Sequence, residues 1–164
     1  MRKILMIAAS ALLLTACSSA QDAKNLYADE TNGGWRDDID ITELGATART
    51  KAMQKTGHDV VYFNFNEANL DTNAKTTLQQ QVEWLKNNPT ALVVIEGRCD
   101  ERGTREYNLA LGDKRANAAR SYLMAKGIAE NRIRTISYGK DKPVVLGSTE
   151  EAWAQNRTAT TVAY

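Results

Sequence analysis

The chain has 164 residues, of which 43% are hydrophobic and 25% are charged, and its formal net charge is +1. This length accommodates one ordinary domain with additional segments. Lysine plus arginine (21) and aspartate plus glutamate (20) nearly cancel, so the chain lacks the basic footprint that attracts nucleic acid. The composition therefore excludes a strongly basic nucleic-acid-binding module, and no nucleic-acid partner is expected.

The first 16 residues have the anatomy of a secretory signal. Arg2 and Lys3 form a short positive region, and an apolar stretch runs from Ile4 to Leu14 before small residues follow. That stretch is shorter than the roughly 20 residues that a helix needs to cross a bilayer, but it suits the apolar segment of a cleavable signal. We therefore assign residues 1–16 to a signal peptide, which predicts export.

The signal ends in Leu14-Thr15-Ala16-Cys17, which resembles a bacterial lipobox. The resemblance implies that the Cys17 thiol is acylated, that the peptide is cut before it and that the new amine is acylated too. Two or more acyl chains anchor a protein stably, since each buried methylene contributes ~0.8 kcal/mol. Ser18 follows the cysteine, and in enteric relatives a residue other than Asp there implies retention in the outer membrane. The alternative is an ordinary signal cleaved near Ala16, with Cys17 a free thiol.

Residues 17–57 are predicted to form the lipidated N-terminus and a flexible tether. The segment is polar, carries scattered acidic residues and contains Asn32-Gly33-Gly34, a composition typical of linkers. About 40 flexible residues span roughly 35 Å on average and at most about 140 Å. A weak helix is predicted near Ile41 to Lys55. Trp35 is compatible either with docking on the domain or with exposure.

Residues 58–164 show the periodicity of one folded domain. Hydrophobic spacing and cap residues predict helices and strands in this region. In chain order they are strand Val60 to Phe65, helix Leu70 to Asn87, strand Ala91 to Ile95, helix Thr104 to Gly127, strand Arg132 to Tyr138, a short helix from a Ser148–Glu151 capping box through Asn156, and strand Thr158 to Tyr164. This order predicts an α/β (α+β) sandwich with β-α-β-α-β-β topology. We expect a mixed sheet of about four strands with helices on one face, whose last strand pairs antiparallel.

The candidate site lies at the turn between the second strand and the second long helix. Asp100 and Glu101 are in that turn. On the helix, Asn108, Leu111 and Arg115 occur at i, i+3 and i+7, so they form one stripe that starts beside the turn. A carboxylate in the turn and a guanidinium on the stripe can face a common cleft, where each forms a charge-assisted hydrogen bond to a ligand. The pattern predicts a zwitterionic ligand.

The residues of this turn and helix resemble a known family. The motif D-x-x-G-x-x-x-x-N-x-x-L-x-x-x-R-A is filled by Asp100, Gly103, Asn108, Leu111, Arg115 and Ala116. Together with "SYGKDKPVVLG" from Ser137 to Gly147, it is similar to the peptidoglycan-binding domain of the OmpA-like family. The likeness covers roughly Asp59 to Tyr164. It implies a domain that binds peptidoglycan noncovalently, without a cofactor or a metal ion.

The resemblance also implies roles for individual residues. Asp100 receives the ammonium of the meso-diaminopimelate in the stem peptide, and Arg115 grips its carboxylate with a planar fork that Lys could not reproduce. Asn108 orients either the turn or the ligand backbone. Phe65 and Asn66 match the end of the first strand, where relatives use main-chain groups. Arg157, in a family Asn-Arg pair, is assigned either to an ion pair with a pocket acid or to ligand contact.

The same resemblance implies a place in the cell envelope. It predicts a protein that is lipid-anchored in the outer membrane, with its domain in the periplasm, and that ties the membrane to the wall. It implies TolB and other Tol proteins as partners, with roles in envelope integrity and cell division.

The chain departs from the family pattern at several positions. Asn66 stands where relatives often carry Asp, which leaves backbone contacts but removes a charge. Arg98 and Cys99 stand where small, polar or imidazole groups are usual, so a more cationic pocket rim is expected. Cys99 is interpreted as a structural thiol, with a reactive thiol as the alternative. Thr158 replaces the second arginine of the family's Asn-Arg-Arg motif.

The alternative function is a peptidoglycan-hydrolysing or remodelling enzyme. Asp100 and Glu101 could imitate a glycosidase carboxylate pair, although adjacent side chains usually diverge in an extended turn. His58 is the only histidine, so a Ser-His-Asp triad or a histidine metal site has one candidate member and no recognisable partner. The chain is therefore expected to be a binding protein rather than an enzyme.

Overall fold

The structure is a computed structural model that describes residues 34–35 and 48–164. The signal peptide, Cys17 and most of the predicted tether lie outside the described residues. The elements are α1 (Ala48–Gln54), β1 (Val60–Tyr62), α2 (Thr72–Asn87), β2 (Val93–Arg98), α3 (Arg105–Ala125), a 3₁₀ turn (Glu130–Arg132), β3 (Ile133–Gly139), α4 (Glu150–Asn156) and β4 (Thr158–Ala163). Within these residues no helix combines the length and apolar character needed to cross a bilayer.

The four strands form one mixed sheet in the order β1-β4-β2-β3. Strands β2 and β3 are parallel, with Val93 opposite Ile133, and helix α3 forms the crossover between them. Strand β4 runs antiparallel to both of its neighbours, β1 and β2. The closing strand therefore lies inside the sheet, between the first two strands, and the predicted fold class is confirmed.

The main core lies between the sheet and the long helices. Residues at helical spacing on α2 and α3 pack against one face of the sheet. They are Leu78, Val82 and Leu85 on α2, and Ala116, Ala119 and Leu123 on α3. Met53 of α1 is buried in the same core, and Thr50 Oγ1 donates to the Ala163 carbonyl oxygen at 2.7 Å. The packed part of the chain therefore begins before residue 58.

The opposite face of the sheet carries a smaller apolar cluster. Its buried members are Trp35, Leu92, Val94 and Tyr164, and Ile136 and Val162 pack against them. Trp35 belongs to the segment predicted as tether, so this segment contacts the folded domain at Trp35 as well as through α1.

Two glycines bring helix α3 unusually close to strand β2. A Cβ atom on Gly97 would lie 1.9 Å from the carbonyl oxygen of Gly112, and one on Gly112 would lie 2.3 Å from Ser137 Oγ. No side chain fits between these backbones. The close approach holds the first half of α3 against the end of β2, where the candidate site is formed.

Several predicted boundaries differ from those observed. Strand β1 ends at Tyr62 rather than at Phe65, because the chain turns there and Asn66 adopts a positive φ of 59°, a conformation that Asn tolerates. Thr104 caps α3 as predicted. The N-cap of α4 is Thr149, whose Oγ1 accepts from the Ala152 N–H at 3.4 Å. The predicted Ser148 cap was therefore wrong by one residue, because Ser148 and Thr149 are both N-cap residue types and their order in the sequence does not decide between them.

Candidate ligand-binding pocket

A pocket of about 260 Å³ lies where β2 ends and α3 begins. It is lined by residues of the first strand end, the turn and the helix. They are Phe65, Asn66, Cys99, Asp100, Arg102, Gly103, Tyr107, Asn108, Leu111 and Arg115. The fold therefore brings five of the six predicted ligand residues to one cavity. The sixth, Arg157, contacts the cavity through its ion pair with Asp100.

Asp100 is the buried acid of the pocket, with 4% of its surface exposed. Its Oδ1 accepts from Arg102 Nε and from the Arg102 backbone N–H, both at 3.2 Å, and its Oδ2 accepts from Arg102 Nη2 at 2.6 Å. Arg157 Nη1 approaches Oδ2 to 3.4 Å. Burial acts to raise the pKa of Asp100, but the hydrogen bonds and charge of Arg102, with help from Arg157, lower the pKa below its usual value. The carboxylate is therefore ionised at neutral pH.

Arg102 is a pocket residue to which the sequence analysis gave no role. Its guanidinium carbon lies 4.0 Å from the centroid of the Phe65 ring and 4.1 Å from that of Trp153, distances at which cation–π attraction operates. The local signal for its contact with Asp100 is the two-residue spacing, because an Asp side chain commonly accepts the N–H two residues on. The two aromatic contacts come from distant parts of the chain and leave no such signal.

Arg115 lies beneath the pocket with 1% of its surface exposed. Its Nε donates to the Glu67 carbonyl oxygen at 2.8 Å, Nη1 to that of Arg98 at 2.8 Å, and Nη2 to that of Asn64 at 3.1 Å. Three of its five N–H groups therefore join the 64–67 loop to the end of β2. The side chain therefore supports the fold of the pocket wall as well as facing the cavity.

Asn108 supports the turn from the first helical turns of α3. Its Nδ2 donates to the carbonyl oxygens of Arg102 at 2.8 Å and Thr104 at 3.0 Å. The backbone carbonyl oxygen of Asn108 accepts a weak hydrogen bond from Cys99 Sγ at 3.3 Å. The side chain is buried. Of the two roles considered for Asn108, this geometry favours orientation of the turn.

Cys99 is a buried free thiol in the wall of the pocket. Burial raises the pKa of the thiol, and this outweighs the opposing charge of Arg115. A raised pKa disfavours the thiolate, which is the nucleophilic form. These features fit a structural thiol rather than a reactive one.

The outer rim of the pocket is aromatic and polar. Phe65 is 57% exposed, and the Tyr107 hydroxyl donates to Asn66 Oδ1 across the rim. Asn66 therefore supplies a neutral acceptor at the rim. The rim presents an apolar ring beside hydrogen-bonding groups.

The cation at the rim of the pocket is not the one predicted. Arg98 was expected at the rim, but its guanidinium bonds to Glu96 Oε2 at 2.5 Å and to the Lys142 carbonyl oxygen at 3.2 Å, and Arg98 does not line the cavity. Side chains alternate along a strand, so Arg98 and Cys99 point to opposite sides. Arg102 supplies the positive charge instead.

Arg157 joins the pocket acid to the neighbouring elements. Besides its pair with Asp100, its Nε donates to the Phe63 carbonyl oxygen at 3.0 Å and its Nη2 to Glu150 Oε1 at 2.8 Å. The guanidinium therefore links the end of β1, the turn and helix α4. Three arginines, Arg102, Arg115 and Arg157, surround one buried carboxylate.

Comparison with known proteins places this chain in a family. The model of the OmpA family matches residues 62–157, which is more than half of the chain. The chain therefore belongs to the OmpA family, and the resemblance inferred from its motif is confirmed.

Its relatives within that family are peptidoglycan-associated lipoproteins. The protein of that name from Rhizobium meliloti (strain 1021) is 43% identical over 155 residues, which cover 92% of this chain and 81% of the relative. The one from Pasteurella multocida (strain Pm70) is 37% identical over 157 residues, covering 96% and 94%. The crystal structure of the peptidoglycan-associated lipoprotein from Burkholderia pseudomallei matches with a TM-score of 0.63 and 44% identity, covering 65% of this chain and 90% of that one.

Proposed function

We propose that this protein binds peptidoglycan noncovalently through the meso-diaminopimelate of the stem peptide. The observation that carries the proposal is the pocket in which Asp100 and Arg115 both line one cavity of about 260 Å³. The names of the relatives that align over most of the chain support the same ligand class.

The proposed ligand group is the zwitterionic end of diaminopimelate. Its ammonium binds the Asp100 carboxylate, which is ionised at neutral pH. Its carboxylate binds the Arg115 guanidinium through the N–H groups that do not donate to backbone carbonyl oxygens. Phe65 covers the apolar methylene chain of the ligand. A neutral amino-acid side chain lacks both charges and binds poorly, because it forms neither of the two charge-assisted hydrogen bonds.

The positive charge around the pocket favours a ligand that carries carboxylates. Arg102 and Arg157 already neutralise Asp100, so the ammonium shares this carboxylate with two guanidinium groups. Stem peptides carry carboxylates besides the one on the side chain of diaminopimelate. Arg102, about one third exposed at its side chain, is placed to attract them.

The proposed location is the cell envelope, with acylated Cys17 in the outer membrane and the domain in the periplasm. Cys17 lies outside the described residues, and its lipobox motif and the lipoprotein names of the relatives support this part of the proposal. The protein thus ties the outer membrane to the wall. TolB and other Tol proteins are the proposed protein partners.

We propose a binding role without catalysis. The two neighbouring carboxylates of the turn have separate partners: Asp100 is buried among arginines, whereas Glu101 Oε1 accepts from Trp153 Nε1 at 3.1 Å. A glycosidase needs one carboxyl group that protonates the leaving oxygen. The pKa values of Asp100 and Glu101 are both lowered, so neither carboxyl group is protonated near neutral pH.

The test is cosedimentation of the purified chain with purified sacculi. Wild type is expected to sediment with sacculi, and free meso-diaminopimelate is expected to release it, whereas lysine, which lacks the second carboxylate, is not. Absence of sedimentation would contradict the proposal. Release of soluble wall fragments from the sacculi would instead favour a hydrolase.

A further inference from the structure

Trp35 is fastened to the domain by both of its N–H groups. Its backbone N–H donates to the Asn131 carbonyl oxygen at 3.1 Å, and its indole Nε1 donates to the Arg132 carbonyl oxygen at 3.2 Å. Only 5% of the residue is exposed. These acceptors lie in the 3₁₀ turn just before β3, so the contact is specific in position.

The indole ring also covers the apolar cluster on the face of the sheet opposite the helices. It meets the Tyr164 ring edge to face, with centroids 5.6 Å apart and an interplanar angle of 66°, an arrangement that aromatic pairs prefer. Leu92 and Val94 belong to the same buried cluster. The guanidinium carbon of Arg134 lies 5.8 Å from the ring centroid. The indole therefore lies on an apolar surface with hydrogen-bond acceptors at its edge, and we call this surface the seat of Trp35.

This seat lies at the end of the sheet opposite the pocket. Leu92 and the 3₁₀ turn precede the first residues of β2 and β3, whereas Asp100 follows the last residue of β2. Strands β2 and β3 are parallel, so their first residues share one edge of the sheet. Six residues of strand separate this edge from the pocket, a distance of roughly 20 Å.

We propose that Trp35 acts as a clip, by which we mean that its docking fixes the point at which the membrane tether leaves the domain. The docked clip thereby also sets the maximum distance between the membrane anchor and the domain. This inference rests on the proposed lipid anchor at Cys17. With the clip seated, about 17 residues separate Cys17 from the domain, at most roughly 60 Å of chain. With the clip released, the next described element is α1, and about 30 residues give a limit of roughly 100 Å. With the clip seated, membrane and wall therefore pull on opposite ends of the sheet, at Trp35 and at the pocket.

The seating of the clip is tested by thiol accessibility in the full-length protein in envelope membranes. The background is Cys99→Ala, and the probe is Val162→Cys, at a position that packs against the apolar cluster to which Trp35 belongs. Trp35→Ala is expected to speed maleimide labelling of this probe about fivefold or more, since local opening governs access. Trp35→Phe, which keeps an aromatic ring without the N–H, is expected to fall between. Lys126→Cys on the far side is the matched control and should label equally in all variants. Equal labelling at residue 162 with and without Trp35 overturns the clip.

The reach is tested by shortening the tether. Deletion of residues 22–29 is expected to lower the fraction of protein cross-linked to peptidoglycan in cells at least twofold. Adding Trp35→Ala to that deletion should restore cross-linking, because the chain between residues 35 and 48 becomes available. If cross-linking is not restored although labelling at residue 162 increases, then Trp35 does not control the distance between the membrane anchor and the domain. If the undeleted chain itself does not bind sacculi, the proposed function fails, and the labelling experiment, which needs no wall, still decides the clip.

Discussion

The guanidinium of Arg102 holds the carboxylate of Asp100 in a two-pronged ion pair, with Nη2–Oδ2 at 2.6 Å and Nε–Oδ1 at 3.2 Å. Such paired bonds are stronger and more directional than a single contact. The acid that we assign to the ligand ammonium is therefore oriented by the protein itself. The proposed ligand would meet a carboxylate whose charge and position are already set.

This ion pair predicts a pH dependence of stability. The folded-state pKa of Asp100 is lowered, so the stabilisation is present above the unfolded-state pKa of about 3.9 and is lost as pH falls through the lowered folded value. Arg102→Gln should reduce stability at pH 7, and the difference from wild type should shrink below about pH 4. Urea unfolding across pH 2.5–7 measures it. Arg105→Gln removes an exposed pair with Asp141 and serves as control. If the difference in unfolding free energy between Arg102→Gln and wild type does not vary with pH, the Arg102–Asp100 ion pair is not the source of pH-dependent stability.

Loss of either charge of the proposed ligand clamp should nearly eliminate sacculus binding. Asp100→Ala and Arg115→Ala each remove one partner of a desolvated charge pair, a change that typically costs ~2–5 kcal/mol. The two effects should be non-additive, because a ligand released at one end is poorly held at the other. Asp100→Asn, nearly isosteric, separates charge from shape.

The matched control for the clamp is Lys114→Ala. Lys114 is exposed and adjacent to Arg115, but it points about 100° round the helix. Its loss should change binding little. Intact binding in the Asp100 and Arg115 variants, with loss in Lys114→Ala, would show that the clamp is wrongly placed.

Arg115 should also matter for stability. Its removal leaves three carbonyl oxygens without their guanidinium donor, and an unsatisfied buried group costs about 1–3 kcal/mol. We expect Arg115→Ala to lower the free energy of unfolding by about 3 kcal/mol or more, with Arg115→Lys intermediate because its one ammonium cannot reproduce the fork. Denaturant unfolding measures this effect. A loss below 0.5 kcal/mol, the range expected of Lys114→Ala, would mean that the backbone contacts contribute little.

Cys99 should behave as an inert core residue. Cys99→Ala is expected to leave sacculus binding within about twofold and to lower stability by about 1 kcal/mol, as for loss of a small apolar contact. The native thiol should react slowly with a bulky reagent at pH 8 and rapidly in denaturant, because burial raises its pKa. Fast reaction of the folded protein would contradict its burial.

Cys17 should carry the membrane anchor. Cys17→Ala is expected to abolish incorporation of labelled palmitate and to move the protein from the membrane fraction to the soluble one, since the acyl chains supply the membrane affinity. Ser18→Ala is the control and should retain label. Unchanged palmitate incorporation in Cys17→Ala would rule out the lipobox assignment.

Local patterns in the sequence were sufficient for much of the fold. Thr104 was identified as a cap and the helix after it by its apolar spacing, because capping and helical periodicity depend on residues three or four apart. The same spacing placed Asn108 and Arg115 on one stripe beside Asp100. The turn, the helix and the pocket residues that they carry were therefore indicated by residues close together in the chain, whereas Phe65 and Asn66 join the pocket from a distant segment.

Only the tertiary structure decided which distant groups meet. The insertion of β4 between β1 and β2 brings Arg157 to Asp100, 57 residues away, and the approach of the 64–67 loop places Glu67 and Asn64 on Arg115, 48 and 51 residues away. Trp35 reaches its seat across 97 residues. Such contacts depend on strand order and on the packing of whole elements, to which no local periodicity points. The sequence by itself therefore determined most of the helices and strands and the stripe of Asn108, Leu111 and Arg115, whereas the folded chain decided that Arg115 supports the pocket and that Trp35 docks on the sheet.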